Sequence, residues 1–346
     1  MTREAFDLLL SSLDPAAGHD PPSVDVDVLN EALRLARANG LFLAFGRGLA
    51  TAGHELPRDH AAPWTEELAA RGAYERTFEL LEATSRGSGV PFSVIKNIWT
   101  VEHVPRDVDI FVRDTDLRAF LGALRTNGCE VLYDDDAEIS VLAHGRLRID
   151  VYTRIHYLGR DFLSEEALAE SRTTEMLNGL RVPTVRADIA YALNSIHSLL
   201  GHGALTLLDL IDLRALEARI GDLSSARAHA ERFGWSRTFD AWTAHLERLG
   251  VRFFQNGRPP AFPLRHGRRF IRRAVSLLDG TPLDLRERIA LQASLLWDDV
   301  VFASEGAGFG ETVRRSPVAT GVANAAGHRL RTLRGDRKRS ERGEGR

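Results

Sequence analysis

The chain has 346 residues, 44% of them hydrophobic, with 45 Lys/Arg against 48 Asp/Glu and a formal net charge of −3. That length accommodates one large domain or two moderate ones with a real core, and the near balance of charge excludes a surface given over to nucleic-acid electrostatics. A single cysteine, Cys129, excludes an intrachain disulfide; the absence of any run of ~20 apolar residues, and of a basic, then apolar start after Met1, gives the expectation of a soluble cytoplasmic protein without a membrane partner.

In chain order, residues 1–56 read as helices around a Pro/Gly/Asp-rich break at Asp14–Ser23. Within Val28–Ala44, Leu29, Leu33, Ala36 and Leu43 recur at helical spacing. A second break, His54–Pro63, leads into a long helix from Trp64 to Ser85 that stops at Arg86-Gly87-Ser88-Gly89. Val90–Ile95 reads as a short buried strand, residues 98–104 as a connection, and Asp107–Val112 as a second strand. Asp114-Thr115-Asp116 is expected to cap a helix over Leu117–Thr126, which closes at Asn127-Gly128. Cys129–Tyr133 and Ile139–Ala143 read as strands, and His144-Gly145 as a hairpin turn into the strand that carries Asp150.

From Ser164 onward the pattern is helical, most clearly over Ala187–Leu200, Leu205–Ile220, Ser224–Phe233 and Ser236–Leu249, with a loop at Asn256–Pro260 and further helix to Phe302. From Arg329 to the end, eight Lys/Arg stand against three Asp/Glu, a net +5 among glycines. Such a segment is expected to be a disordered basic tail, able to touch an anionic partner. The expected organisation is a helical region over 1–63, an α/β core over 64–160, a helical region over 161–310 and the tail over 311–346. The fold class is α/β (α+β): a small mixed sheet embedded in helices.

The strand at 107–112 carries the chemistry. Val108, Ile110 and Val112 alternate with Asp107 and Asp109, so one face belongs to a core and both carboxylates project from the other. Like charges held side by side repel, and a compensating cation relieves them. A pair of oxygen ligands on a rigid strand suits Mg²⁺, which takes one or two carboxylates and fills its remaining positions with water and substrate phosphates. A third acid, Asp150, lies in the alternating stretch Leu147-Arg148-Ile149-Asp150-Val151-Tyr152. Lys96, one of only two lysines in the chain, stands just upstream, and a lysine is a compact point charge for phosphate. The bland alternative is a strand whose outer face is simply solvated. Elsewhere, His197 reads as a core histidine, Asp209 and Asp212 as structural acids, and Gly306–Gly310 departs from the spacing of a phosphate loop.

Asn97 is followed by nine residues and then Asp107-Val108-Asp109. An apolar strand, a short turn, that gap, a D-x-D strand and a later third acid together resemble the nucleotidyltransferase superfamily, in particular its type 5 group of bacterial and archaeal proteins. Ile95-Lys96-Asn97 and Arg106-Asp107-Val108-Asp109 carry the likeness, and Asp116-Leu117-Arg118-Ala119-Phe120, Leu124 and Gly128-Cys129-Glu130-Val131 look like the helix and strand that follow. The flanks are similar more loosely, from Ala36-Arg37-Ala38-Asn39-Gly40 to the helices bearing His197, Asp209 and Asp212, so that the likeness spans about residues 26–220. Asn97 departs from the family, which usually has glycine there; asparagine tolerates left-handed backbone angles better than most residues.

The resemblance implies transfer of a nucleoside monophosphate from an NTP to an acceptor, with release of pyrophosphate. Asp107, Asp109 and Asp150 would be the catalytic, metal-holding acids for Mg²⁺ or Mn²⁺, and Lys96, Asn97 and Arg106 the nucleotide-binding residues. The acceptor stays open among small molecule, protein side chain, RNA end and glycan precursor. Two rival readings also stand: a degenerate relative that binds a nucleotide or a protein partner, and a D-x-D glycosyltransferase, which would require a nucleotide-sugar half-sheet ahead of the motif.

Overall fold

The computed structural model describes residues 2–13, 25–96, 101–105, 107–134, 138–143, 147–157, 160–177, 180–201, 204–250 and 264–265. Among the described residues, four α-helices precede the first strand: α1 (Arg3–Leu13), α2 (Val26–Ala38), α3 (Phe42–Thr51) and α4 (Ala61–Ser88). The helical stripe expected over Val28–Ala44 is broken into α2 and α3 at Asn39-Gly40, where Gly40 takes a φ of 71°. Asn39 is buried there; its amide donates to the Leu35 carbonyl at 2.9 Å, and its side-chain oxygen accepts from the backbone N–H of Leu207 at 2.8 Å.

Phe6, Leu9, Leu33, Phe42, Phe45 and Leu49 form a fully buried cluster that Leu207 and Leu208 complete from far along the chain. Interhelix approach is close enough to require glycine. A Cβ on Gly48 would lie 2.2 Å from the Ser12 carbonyl oxygen, and one on Gly46 would lie 2.4 Å from the Trp64 ring.

The sheet core begins with β1 (Ser93–Val94), shorter than the Val90–Ile95 run expected, and β2 (Asp107–Phe111). α5 (Asp114–Thr126) follows, and its N-cap is Arg113 without a side-chain cap bond, so the expected capping acids instead occupy the first turn. There, Asp114 and Asp116 face the positive end of the helix dipole. β3 (Cys129–Asp134), β4 (Glu138–Ala143) and β5 (Arg148–Tyr152) come next.

The expectation of an unbroken helical pattern after Ser164 is corrected. A hairpin of β6 (Ile155–Tyr157) and β7 (Arg160–Leu163) leads to a short α6 (Glu165–Glu170), and then β8 (Arg172–Leu177) and β9 (Leu180–Val185) join the main sheet. Pro183, within β9, cannot donate to a ladder. It is accommodated because β9 shares a single register pair with β1, Val94↔Thr184, so Pro183 sits beside the end of that ladder.

The seven strands run β3-β4-β5-β2-β1-β9-β8. β2 pairs parallel with β5 and antiparallel with β1, so the acid-bearing strand is central. Val108, Ile110 and Val112 are fully buried, in one apolar cluster with Tyr74 and Phe78 of α4 and Phe120 and Leu124 of α5.

The helical part continues with α7 (Ala187–Ile196), a π-turn over His197–Gly201, a β10 bridge strand (Ala204–Leu205), α8 (Leu207–Ile220), α9 (Ser224–Arg232), α10 (Ser236–Gly250) and β11 (Leu264–Arg265), which pairs with β10. Trp235 ties these helices to the sheet region, donating from its indole N–H to the Phe162 carbonyl at 3.1 Å. No helix among the described residues is long and apolar enough to cross a membrane. The Asn256–Pro260 loop, the His144-Gly145 turn, Gly306–Gly310 and the basic tail lie outside the described residues.

Candidate active site

Strand register decides the site. In the parallel β2/β5 pair Asp107 stands opposite Arg148 and Asp109 directly opposite Asp150, while antiparallel β4 places Ser140 opposite Asp150. Paired residues of adjacent strands project to the same side of a sheet, as do residues i and i+2 of one strand. Asp107, Asp109, Asp150, Arg148, Tyr152 and Ser140 therefore share one face. Further along β2 that face becomes apolar at Phe111, which is fully buried, so the charges collect at the N-terminal ends of β2 and β5.

Two cations serve the three acids. Lys96, just past β1, donates from Nζ to Asp109 Oδ1 at 3.0 Å and to the Tyr152 hydroxyl at 2.8 Å. Its ammonium also lies 4.0 Å from the Tyr152 ring centroid, against the negative face of the π-system. This pair is buried, with side-chain exposures of 6% for Lys96 and 10% for Asp109. Arg148 donates from one guanidinium nitrogen to Asp107 Oδ2 at 2.6 Å, and that nitrogen lies 2.8 Å from Asp150 Oδ2. The other oxygen of Asp150 accepts from Ser140 Oγ at 2.5 Å.

Burial, foremost, and repulsion from Asp109 push the Asp107 carboxyl above the ordinary aspartate range, against the pull of Arg148. Asp150 is raised as well, first by burial and then by the other two acids, with Ser140 and Arg148 opposing. Both directions report a place where negative charge is crowded and poorly hydrated.

The segment leading into β2 is held from the N-terminal helices. Glu102 forms ion pairs with Arg47 of α3, at 2.9 Å, and with Arg71 of α4. His103 Nδ1 lies 2.9 Å from the Gly40 carbonyl, which can only accept, so the ring donates there. Val101 packs against the N-terminal cluster.

The structure thus brings together Lys96, Asp107, Asp109 and Asp150; Asn97 and Arg106 lie outside the described residues. The set offers oxygen donors only, in a field that a hard dication would relieve, which fits Mg²⁺ or Mn²⁺. Among the described residues no three acidic, histidine or cysteine side chains stand converged as a ready metal-ligand group; Lys96 and Arg148 supply the cationic charge. Arg148 and Tyr152 escaped the sequence reading although both lie two residues from Asp150, where alternation alone puts them on its face. Ser140 left no signal, since only pairing register brings it to Asp150. Of the lesser candidates, Asp209 completes a capping box with Thr206 at the start of α8, Asp212 is buried within the same helix, and His197 closes α7.

No protein-family model and no curated protein sequence matches the chain. Among solved structures it is similar to the antibiotic-resistance factor ANT(2'')-Ia, with a TM-score of 0.34 and 11% identity over 51% of this chain and 95% of that one. It is also similar to the lincosamide antibiotic adenylyltransferase LnuA, solved with lincomycin bound, with a TM-score of 0.31 and 12% identity over 42% of this chain and 96% of that one.

Proposed function

We propose that this chain is a metal-dependent nucleotidyltransferase that moves a nucleoside monophosphate from an NTP to a hydroxyl, phosphate or amine of an acceptor, releasing pyrophosphate. One observation carries the reading: Asp107, Asp109 and Asp150 share one face of two hydrogen-bonded strands, with Asp109 and Asp150 in direct register. Asp107, Asp109 and Asp150 would hold Mg²⁺ or Mn²⁺, which supplies electrophilic stabilisation of attacking and leaving oxygens in an in-line displacement.

The protein's own groups have separable tasks. Asp150, raised above the ordinary carboxylate range and steadied by Ser140, is the group suited to accept a proton from the acceptor. Lys96 holds Asp109 in place and presents positive charge beside the acids, where a triphosphate would lie; Asn97 and Arg106 belong to the same nucleotide-binding proposal. Among the described residues, four α-helices and no strand precede β1, which favours nucleotidyl over glycosyl transfer. The charge satisfaction of the acids by Lys96 and Arg148 favours a second reading, a relative that binds nucleotide without turnover.

Calorimetry with ATP, GTP, CTP and UTP in Mg²⁺ or Mn²⁺ tests both. At least one NTP should bind in a metal-dependent manner, and Asp107→Ala with Asp109→Ala should remove that dependence. Incubation with α-labelled NTP, metal and cell extract then separates them: label transferred to an acceptor marks the enzyme, and binding without transfer marks the degenerate relative. No metal-dependent binding of any NTP by the wild type overturns the enzyme and shifts the weight to the degenerate relative.

A further inference from the structure

Arg148 occupies an unusual position for a surface arginine. A single guanidinium nitrogen bridges Asp107 at 2.6 Å and Asp150 at 2.8 Å, which belong to different strands. A cation sits, in other words, between two of the three acids to which the proposed function assigns a metal. We propose that Arg148 is a resident counter-cation that divalent metal must displace, so that this residue sets the affinity of the site for metal. The inference rests on the metal-binding reading of the acids and goes beyond it.

Two contrasts with Lys96 single out Arg148 as the group that moves. Lys96 is 6% exposed and held by both Asp109 and Tyr152, so withdrawing it strands a buried carboxylate, which is strongly unfavourable. Arg148 is 47% exposed and Asp107 30% exposed, a half-solvated pair, while its second partner, Asp150, is 3% exposed. The Arg148 guanidinium can swing into water on its long side chain, the incoming dication replaces its charge beside buried Asp150, and the Ser140 hydrogen bond to that carboxylate stays.

Charge points the same way. Three carboxylates against Lys96 and Arg148 give a cluster of net −1; adding a dication with Arg148 in place would make it +1, while releasing the arginine brings the cluster to zero. Binding of metal and departure of Arg148 are therefore coupled by like-charge repulsion, which at a few ångströms in a partly buried site is large compared with thermal energy.

Titration of the full-length, nucleotide-free protein with Mn²⁺, followed by calorimetry and by the electron paramagnetic resonance of free Mn²⁺, tests this without reference to turnover. Arg148→Gln should tighten Mn²⁺ binding by about tenfold or more, since a repelling unit charge is removed from contact range. Metal-free Arg148→Gln should also melt below the wild type and gain more in melting temperature from added Mn²⁺. Binding in both proteins with unchanged or weaker affinity in the variant overturns the role of Arg148 alone. No binding in either overturns it together with the metal-site reading. Should Arg148→Gln fail to fold, Arg148→Lys decides: its ammonium keeps the charge but reaches the two acids less well, so Mn²⁺ should bind more tightly than in the wild type, and equal or weaker binding refutes the competition.

Discussion

Two buried junctions join remote parts of this chain, and they do so by different physics. At one, α1–α3, drawn close to one another and to α4 by two glycines, meet the start of α8 through interlocked apolar side chains and the amide of Asn39. At the other, β2 and β5 meet through carboxylates balanced by Lys96 and Arg148. The apolar junction is complete as it stands, and any change in volume degrades it. The charged junction is buried and holds excess negative charge, and burial first, then that charge, raises Asp107 and Asp150; it is built to be completed by something added. Stability and function should thus part company at the second junction and not at the first.

The largest effect is expected from Lys96→Ala, which leaves Asp109 buried without its ammonium and should cost about 3–5 kcal/mol in urea unfolding. Replacing both partners by apolar residues, Lys96→Met with Asp109→Leu, should recover most of that stability and none of the metal-dependent NTP binding. A loss of about 1 kcal/mol or less in Lys96→Ala, the range of exposed pairs, would place the ammonium in water and remove the contrast between the junctions.

Next in size is Gly48→Ala. Its Cβ would meet backbone, the Ser12 carbonyl oxygen at 2.2 Å, so α1 and α3 must shift apart; a cost of about 1–3 kcal/mol is expected. NTP affinity below the melting transition should not change, and a large drop in it would show that the N-terminal helices transmit strain to the site.

The smallest effect concerns titration. Because folding raises Asp107 and Asp150, the native protein binds their protons more readily than the unfolded chain does. Their ionisation therefore costs stability above the native values, and the cost fades as pH falls through them. Metal affinity should run the opposite way and fall over the same acid range, since the ligands must be ionised. Asp109→Asn removes one named cause of the Asp107 shift and should move its carboxyl titration, read by ¹³C NMR, toward lower pH. An unmoved titration would leave burial as the sole cause.

How much of this was legible depends on which interactions are local. β2 was readable because Val108, Ile110 and Val112 alternate with acids inside one segment, and the shared face of Asp107 and Asp109 follows from that period alone. The pairing of Asp109 with Asp150 was expected only in outline, since register between strands 41 residues apart is settled by how β4 and β5 turn back. β8 and β9 were missed because Thr173, Thr174 and Glu175 are polar and Pro183 interrupts the run; the β-branched residues there depend on neighbours for their strand preference. The split of α2 from α3 was missed because Asn39-Gly40 looks like a tolerable lapse in a helical stripe, whereas the chain uses it to receive Leu207.

That last contact has a consequence in time. Asn39 and the backbone it binds are 168 residues apart, and a ribosome adding about 5–20 residues per second needs roughly 10–30 s to make that much chain. Through that interval Leu33, Phe42 and Phe45 have emerged while Leu207 and Leu208, which close the cluster around them, have not yet been made. The first helices to be synthesised are therefore among the last to be sealed, and a chain halted before residue 207 would present a sticky, unfinished face to whatever chaperones meet it.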